Sequence, residues 1–197
     1  AGELALVYQP QVSMIDGTTQ VVEALLRWQR DDGPLLPAHE FIAIAEQSGL
    51  IIGIGEWVLE TAATAVADWR ARGFENARVA INVSVHQLLD NRFVERLTEV
   101  LTRHQLPGDA IELELTETAF QTSSTTVRAL SRVREGGVGL ALDDFGTGYS
   151  SLTSLSRLPL RRVKIDQSLV VDVSTSPRAE SLARSIIGVC HNLGLGV

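Results

Sequence analysis

Apolar and polar positions along this chain switch between a period of two and a helical period, and each switch marks an element. Residues 4–11 read as a strand and Asp16-Gly17 as a turn. Residues 21–28 form a second strand, in which Val22, Ala24 and Leu26 alternate with Glu23, Leu25 and Arg27. Residues 31–34 are loop chemistry. Pro37 then opens a helix expected to run to about Ser48, with Gly49 as its stop. A longer helix is predicted over 56–72, where Val58, Ala62, Ala65, Val66 and Trp69 recur at helical spacing and Gly73 ends the pattern. Val79, Ile81 and Val83 alternate with Ala80, Asn82 and Ser84 in a third strand. A helix over 92–104 follows, with Phe93, Leu97, Val100 and Leu101 as its buried stripe.

The fourth strand, 111–116, has the clearest alternation: Ile111, Leu113 and Leu115 on one face, Glu112, Glu114 and Thr116 on the other. Val127, Leu130 and Val133 place a helix after it, closed by Gly136-Gly137. The apolar run from Leu140 is a fifth strand, after which Ser150 or Ser151 could cap a short helix. Val163 and Ile165 alternate with Lys164 and Asp166 in a sixth strand. A helix over 177–192 carries Leu182, Ile186, Val189 and Leu193, and 194–197 starts a seventh strand.

The recurring unit is strand, loop, helix, which predicts one α/β domain with a mainly parallel sheet, either doubly wound or closed as a barrel. The polar faces favour the barrel. Separated strands each aim a polar group one way and their apolar residues the other way, toward the helices. A closed barrel gathers such groups around the mouth at the strands' carboxyl ends.

Composition narrows the function classes. A net charge of -7 argues against binding to a DNA or RNA duplex and to anionic membranes, while leaving room for a local basic pocket and a small anionic ligand. The longest apolar run, around residues 50–54, is too short to span a bilayer, and no signal peptide stands at the start. The single cysteine, Cys190, reads as a small buried thiol on a helix and fits a reducing cytoplasm. Of the 17 basic residues, only Lys164 is a lysine. It marks either a place that needs a compact ammonium or an exception to a codon bias toward arginine.

The chemistry centres on residues 140–151, where an apolar strand delivers Asp143 and Asp144 and then breaks at Gly146 and Gly148. Adjacent acids at the end of a buried strand need compensation, most simply from a cation. On the barrel reading Glu23, Asn82, Glu114, Asp143 and Asp144 converge, with Arg27, Lys164 and Asp166 nearby. Four carboxylates and an amide make an all-oxygen set suited to magnesium or manganese. Such a set beside a lysine and an arginine suggests two ions about 3.5 to 4 Å apart, activating water for in-line attack on a phosphate ester. Lys164 would orient the water and Arg27 would hold a phosphate oxygen. His39, His86, His104 and His191 lack metal-ligand spacing. Bland readings compete: Glu23 and Arg27 as a structural ion pair, Glu112 as another pair or exposed at the barrel edge, and the glycines as an ordinary turn. The Asp144-Phe145-Gly146 string also occurs in protein kinases, whose other signatures are absent.

Seven stretches carry a resemblance: Tyr8-Gln9-Pro10, the run from Glu23 through Ala24, Leu25, Leu26 and Arg27 to Trp28, residues 46–51, Asn82-Val83-Ser84, Glu114-Leu115-Thr116-Glu117, residues 143–151, and Lys164-Ile165-Asp166. In this order and spacing the chain resembles the EAL domain family of cyclic di-GMP phosphodiesterases along its whole length. The resemblance implies a (β/α)8 TIM-like barrel with one antiparallel strand, a requirement for Mg2+ or Mn2+, and hydrolysis of cyclic di-GMP to linear pGpG. It implies that Glu23, Asn82, Glu114 and Asp143 are metal ligands, with Asp144 a ligand or its immediate partner. Lys164 resembles the residue that positions the nucleophilic water. Gln9, Leu25 and Arg27 resemble substrate-contacting residues, and Asp166 lies close to the site. Glu117 resembles the glutamate that anchors the loop after Asp144, which the family couples to dimerisation and metal binding. The implied partners are cyclic di-GMP, a second copy of the chain, and attached sensor or GGDEF diguanylate cyclase domains.

The family pattern continues past Val197 with a segment carrying a further catalytic glutamate and, later, a glutamine. The resemblance therefore implies a domain cut short near the start of its seventh strand, and crippled in catalysis as it stands. The alternative from another class is a catalytically silent cyclic di-GMP receptor or scaffold. A barrel glycosidase using two carboxylates fits generic physics but gives Lys164 no role.

Overall fold

The computed structural model describes residues 2–30, 33–116, 124–146, 155 and 158–197. Seven strands make one sheet: β1 (Leu4–Val12), β2 (Thr19–Gln29), β3 (Leu35–Pro37), β4 (Arg78–Asn82), β5 (Ile111–Thr116), β6 (Gly139–Phe145) and β7 (Arg162–Ile165). The order across it is β1-β2-β4-β5-β6-β7, with β3 paired to β2 as well. From β2 through β7 the path runs parallel, whereas β1 and the short β3 are both antiparallel to β2. The expectation of one antiparallel strand holds for β1; the three residues of β3 add a second. The sheet curls strongly enough for side chains of its two edge strands to meet, since Arg162 on β7 donates to Gln11 Oε1 on β1 at 2.6 Å.

Among the described residues the helices include α1 (Ile42–Gln47), α2 (Ile51–Ala71), α3 (Val85–Leu88), α4 (Phe93–Arg103), α5 (Ser124–Glu135), α6 (Gln167–Val170) and α7 (Pro177–Asn192). They cover the sheet's outer face, where Val79, Ile81, Leu113, Leu115, Leu140, Leu142 and Val163 are all buried. Helix α2 packs against β4 and buries Val58, Ala62 and Val66. It starts five residues before the predicted Glu56, because Gly49, in the left-handed region with φ 75°, ends α1 and lets the chain restart at Ile51. The predicted helix from Pro37 is a strand end, a 3-10 turn and the short α1. Among the described residues no helix is long and apolar enough to cross a membrane.

Two predicted stripes are corrected. On α5, Leu130 and Val133 are buried but Val127 is 39% exposed. On α7 the buried residues are Ala183 and Cys190 with Ile186 partly buried, one position round from the predicted stripe, and Leu182 and Leu193 point outward. Large side chains drew the reading, but small residues sit where the helix approaches the sheet closely. Cys190 is buried as expected, and burial raises its thiol pKa. The start of a seventh repeat strand is a single parallel bridge, Arg162 to Gly196. Ser150 and Ser151 lie outside the described residues.

The inner face is polar, and small neighbours make room for it. In register, Glu112 on β5 lies between Ala80 and Gly139, and Glu114 between Asn82 and Ala141. Ala80 and Ala141 are fully buried, and a Cβ on Gly139 would press against the Glu112 side chain at 3.2 Å. At the strands' amino ends, Gly108 approaches the backbone of Gly136 and Gly137 so closely that a Cβ would lie 2.7 Å from the Gly137 carbonyl carbon. Gly108→Ala is therefore expected to destabilise the fold by about 1–3 kcal/mol. Gly53→Ala, in open space within α2, should stabilise by about 0.5–1 kcal/mol. Urea unfolding of the two variants checks this, and equal midpoints would refute the close-approach argument.

Candidate active site

The site forms where four parallel strands end, and its centre is the Lys164 ammonium. On β7, Lys164 alternates with buried Val163 and so points inward. Its Nζ lies 2.7 Å from Glu114 Oε2, 3.0 Å from Glu23 Oε2 and 3.0 Å from Asp143 Oδ1. Asn82 at the end of β4 donates its amide to Glu23 Oε1 at 2.9 Å. Of the five residues expected to converge, Glu23, Glu114 and Asp143 meet around Lys164 and Asn82 joins them through Glu23, while Asp144 lies on the wall of an adjoining cleft.

Glu114 is the most enclosed member, 1% exposed. Burial pushes its carboxyl up; the Lys164 charge opposes this, and Glu23 reinforces it, leaving its pKa at about 8. Burial alone would lower Lys164, but the adjacent Glu114 carboxylate, with Asp143 and Glu23, outweighs this and holds the ammonium charged well above its usual range.

A bulge aims the two aspartates. β6 pairs Leu142 with Val163 and then Phe145 with Ile165, so β6 carries one extra residue between these pairs. The extra residue is absorbed by Asp144, whose φ of 53° lies in the left-handed region that Asp tolerates better than most residues. Asp143 Oδ1 accepts the Asp144 amide at 3.0 Å. Asp143 thus joins the lysine cluster while Asp144 turns onto the wall of the adjoining cleft. Partial desolvation raises the Asp144 carboxyl, with the Asp143 and Asp166 charges acting the same way. Gly146 follows with φ 105°, and a Cβ there would overlap Leu169 on α6.

That cleft holds about 380 Å3 and reaches from the cluster along β2 to α1 and α2. Leu25, Arg27, Asn82, Glu114 and Asp144 line it, together with His39 and Glu46. The Arg27 guanidinium bonds the carbonyl of Leu26 at 2.9 Å. Gln9 faces Glu23 across the β1–β2 register but is exposed on β1. The Asp166 carboxylate caps α6 by accepting from Ser168 N at 2.9 Å, and the Ser168 hydrogen bonds hold its pKa low. Glu117 lies outside the described residues. Glu112 is not at an exposed edge: it is 4% exposed, with Arg162 at 3.6 Å. His104 pairs with Glu60 at 2.8 Å and His86 approaches Glu46 at 3.8 Å, neither of them in the cluster.

Sequence reasoning missed Gln11 and Arg162. Gln11 donates to Glu114 Oε1 at 3.2 Å and accepts from Arg162. Strand parity was the available signal, since Arg162 stands two residues before Lys164 and Gln11 two after Gln9.

The donor set suits a hard metal ion. Glu23, Glu114 and Asp143 each offer an oxygen within 4.8 Å of the others, and the Lys164 ammonium already occupies the position of a counter-cation.

Comparison with known proteins identifies the family. The EAL domain model matches residues 1–197. The chain is 39% identical over 193 residues to cyclic di-GMP phosphodiesterase PA2567 of Pseudomonas aeruginosa, covering 98% of this chain and 33% of that protein. It is 38% identical over 196 residues to cyclic di-GMP phosphodiesterase PdeR of Escherichia coli, covering 99% and 29%. The chain thus spans about a third of the length of these relatives or less. Among solved structures, the PaMucR phosphodiesterase in complex with c-di-GMP superposes with a TM-score of 0.91 at 36% identity, covering 98% of this chain and 78% of that one. By whole-length match and by fold, the chain belongs to the EAL domain family.

Proposed function

We propose that this chain is the phosphodiesterase domain of a protein that hydrolyses cyclic di-GMP to linear pGpG, acting with Mg2+ or Mn2+, two ions per site. The observation that carries this reading is the cluster of Glu23, Glu114 and Asp143 around Lys164, opening onto a cleft of about 380 Å3. Relatives that cover nearly the whole chain are named for this activity, and c-di-GMP is bound in the PaMucR structure.

In this reading Glu23, Asn82, Glu114 and Asp143 hold the metal, with Asp144 a further ligand or immediate partner. The ions, when bound, supply Lewis acidity and lower the pKa of a water molecule. Lys164 orients that water through its ammonium, whose three donors match a site already lined with oxygens. Arg27, on the cleft wall, holds a phosphate oxygen, and Leu25 packs against the guanine-bearing ligand. Gln9 and Asp166 contact the ligand at the rim, and Glu117 anchors the loop after Asp144. The water oxygen bonds to phosphorus, the bond to one ribose oxygen breaks, and that oxygen takes up a proton. A second copy of the chain, neighbouring sensor or GGDEF domains and a cytoplasmic setting complete the proposal. One relative, MucR of Pseudomonas aeruginosa, is named as a bifunctional diguanylate cyclase and phosphodiesterase.

Given cyclic di-GMP and Mg2+, the full natural protein is expected to release pGpG. Lys164→Arg keeps the charge but replaces a compact ammonium by a planar fork, and should lower turnover by about 100-fold or more. Tight binding without turnover in the wild type would turn the reading to a receptor, and undiminished turnover in the variant would remove Lys164 from the mechanism.

Stability should also respond to pH. Glu114 has a folded pKa of about 8, above its ordinary value, so the native state holds an extra proton that the unfolded chain releases near pH 4.5. Its effect is that the metal-free fold loses stability as pH rises from about 4.5 to about 8. Lys164, raised from an already alkaline value, does not titrate in this window. Thermal melts of the metal-free protein should fall across it, and Glu114→Gln should flatten the decline. Mg2+ should stabilise the wild type more at pH 8 than at pH 6, because metal binding displaces the proton. An unchanged slope in Glu114→Gln would refute the assignment.

A further inference from the structure

Below the lysine cluster lies a second polar layer that the proposed chemistry does not use. Gln11 on edge strand β1 and Arg162 on edge strand β7 reach into the sheet's concave side and meet beneath Glu114. Arg162 donates to Gln11 Oε1 at 2.6 Å, and Gln11 Nε2 donates to Glu114 Oε1 at 3.2 Å. The other Glu114 oxygen takes the Lys164 ammonium at 2.7 Å. Arg162 in turn lies 3.6 Å from Glu112 Oε1, an oxygen with no hydrogen bond of its own in a residue 4% exposed.

The direction of this chain of contacts is fixed by donor chemistry. A guanidinium only donates, so it takes the carbonyl end of the Gln11 amide. The amide's NH2 end is then the one that faces Glu114. A carboxylate held at both oxygens cannot turn about its last bond without losing a partner, and within a nearly fully buried side chain a lost partner is not replaced by water.

We infer that Gln11 and Arg162 are positioning residues of the metal site, Gln11 fixing the Glu114 carboxylate toward Lys164 and Arg162 acting through Gln11. The inference rests on the reading of Glu114 as a metal ligand. Partners that orient a metal ligand typically change affinity about 10- to 100-fold when removed.

The test is isothermal titration of the metal-free protein with Mn2+, alongside thermal melts. Gln11→Met keeps the length and loses the donor, and should weaken Mn2+ binding about tenfold. Arg162→Met removes the cation 3.6 Å from Glu112, so it is combined with Glu112→Gln to remove the charge left behind; that double variant should also weaken binding. Added to Gln11→Met, that pair of substitutions should cost no further affinity, because Arg162 works through Gln11. Wild-type Mn2+ affinity in Gln11→Met, with only the melting temperature lowered, would overturn the inference and leave the phosphodiesterase reading intact. A wild-type protein that binds no Mn2+ and releases no pGpG would overturn both.

Discussion

Glu23, Glu114 and Asp143 bring like charge into one poorly hydrated volume, and the Lys164 ammonium within 3.0 Å of each offsets their repulsion. The cost is largest at Glu114, where burial outweighs the lysine and drives the pKa up. The metal-free cluster is therefore a compromise, with more acid than one ammonium can neutralise. A divalent cation brings twice the charge of the lysine and prefers the same oxygens. Much of the domain's inner architecture follows from holding these acids together, in an arrangement that such an ion would fit.

Two features of the fold make that possible. Small residues flank the acids in register, with Ala80 and Gly139 beside Glu112 and Ala141 beside Glu114, so the carboxylates fill volume that larger side chains would claim. The antiparallel direction of β1 is the second. It runs back along β2 and brings Gln11 to the concave side, where it bonds Glu114, 103 residues away in sequence. Polar groups at two depths are thus linked from Arg162 to Lys164 with few unmet hydrogen-bonding atoms, Glu112 Oε1 being the exception among the described residues.

Most of the strands were legible because their alternation is enforced by burial on one face and polarity on the other. Strand 111–116 is legible with its observed bounds, and Glu114, Asn82 and Lys164 fall on the inner face by parity alone, whereas Asp143 is marked only as an acid ending an apolar run. Helix faces were harder. On α7 the closest approach to the sheet uses Ala183 and Cys190, which hydrophobicity ranks below the outward Leu182 and Leu193. Gln11 and Arg162 escaped notice because a glutamine and one arginine among sixteen carry no compositional signal; their meaning comes from a contact across 151 residues. Likewise α3 begins with a capping box, Ser84 with Gln87, but four residues are too few for a helical period to be seen.

The irregularity at the end of β6 joins these layers to the cleft. An extra residue between Leu142 and Phe145 puts Asp143 in the cluster and Asp144 on the cleft wall, where a regular strand would have sent adjacent side chains to opposite faces of the sheet. The chain regains its pairing when Asp166 N bonds Phe145 O at 3.2 Å, two residues after Lys164. Asp166 then caps α6, and Leu169 on that helix fills the space a side chain at Gly146 would need. The backbone that aims the aspartates and the backbone that aims the lysine are therefore braced against each other within a few residues.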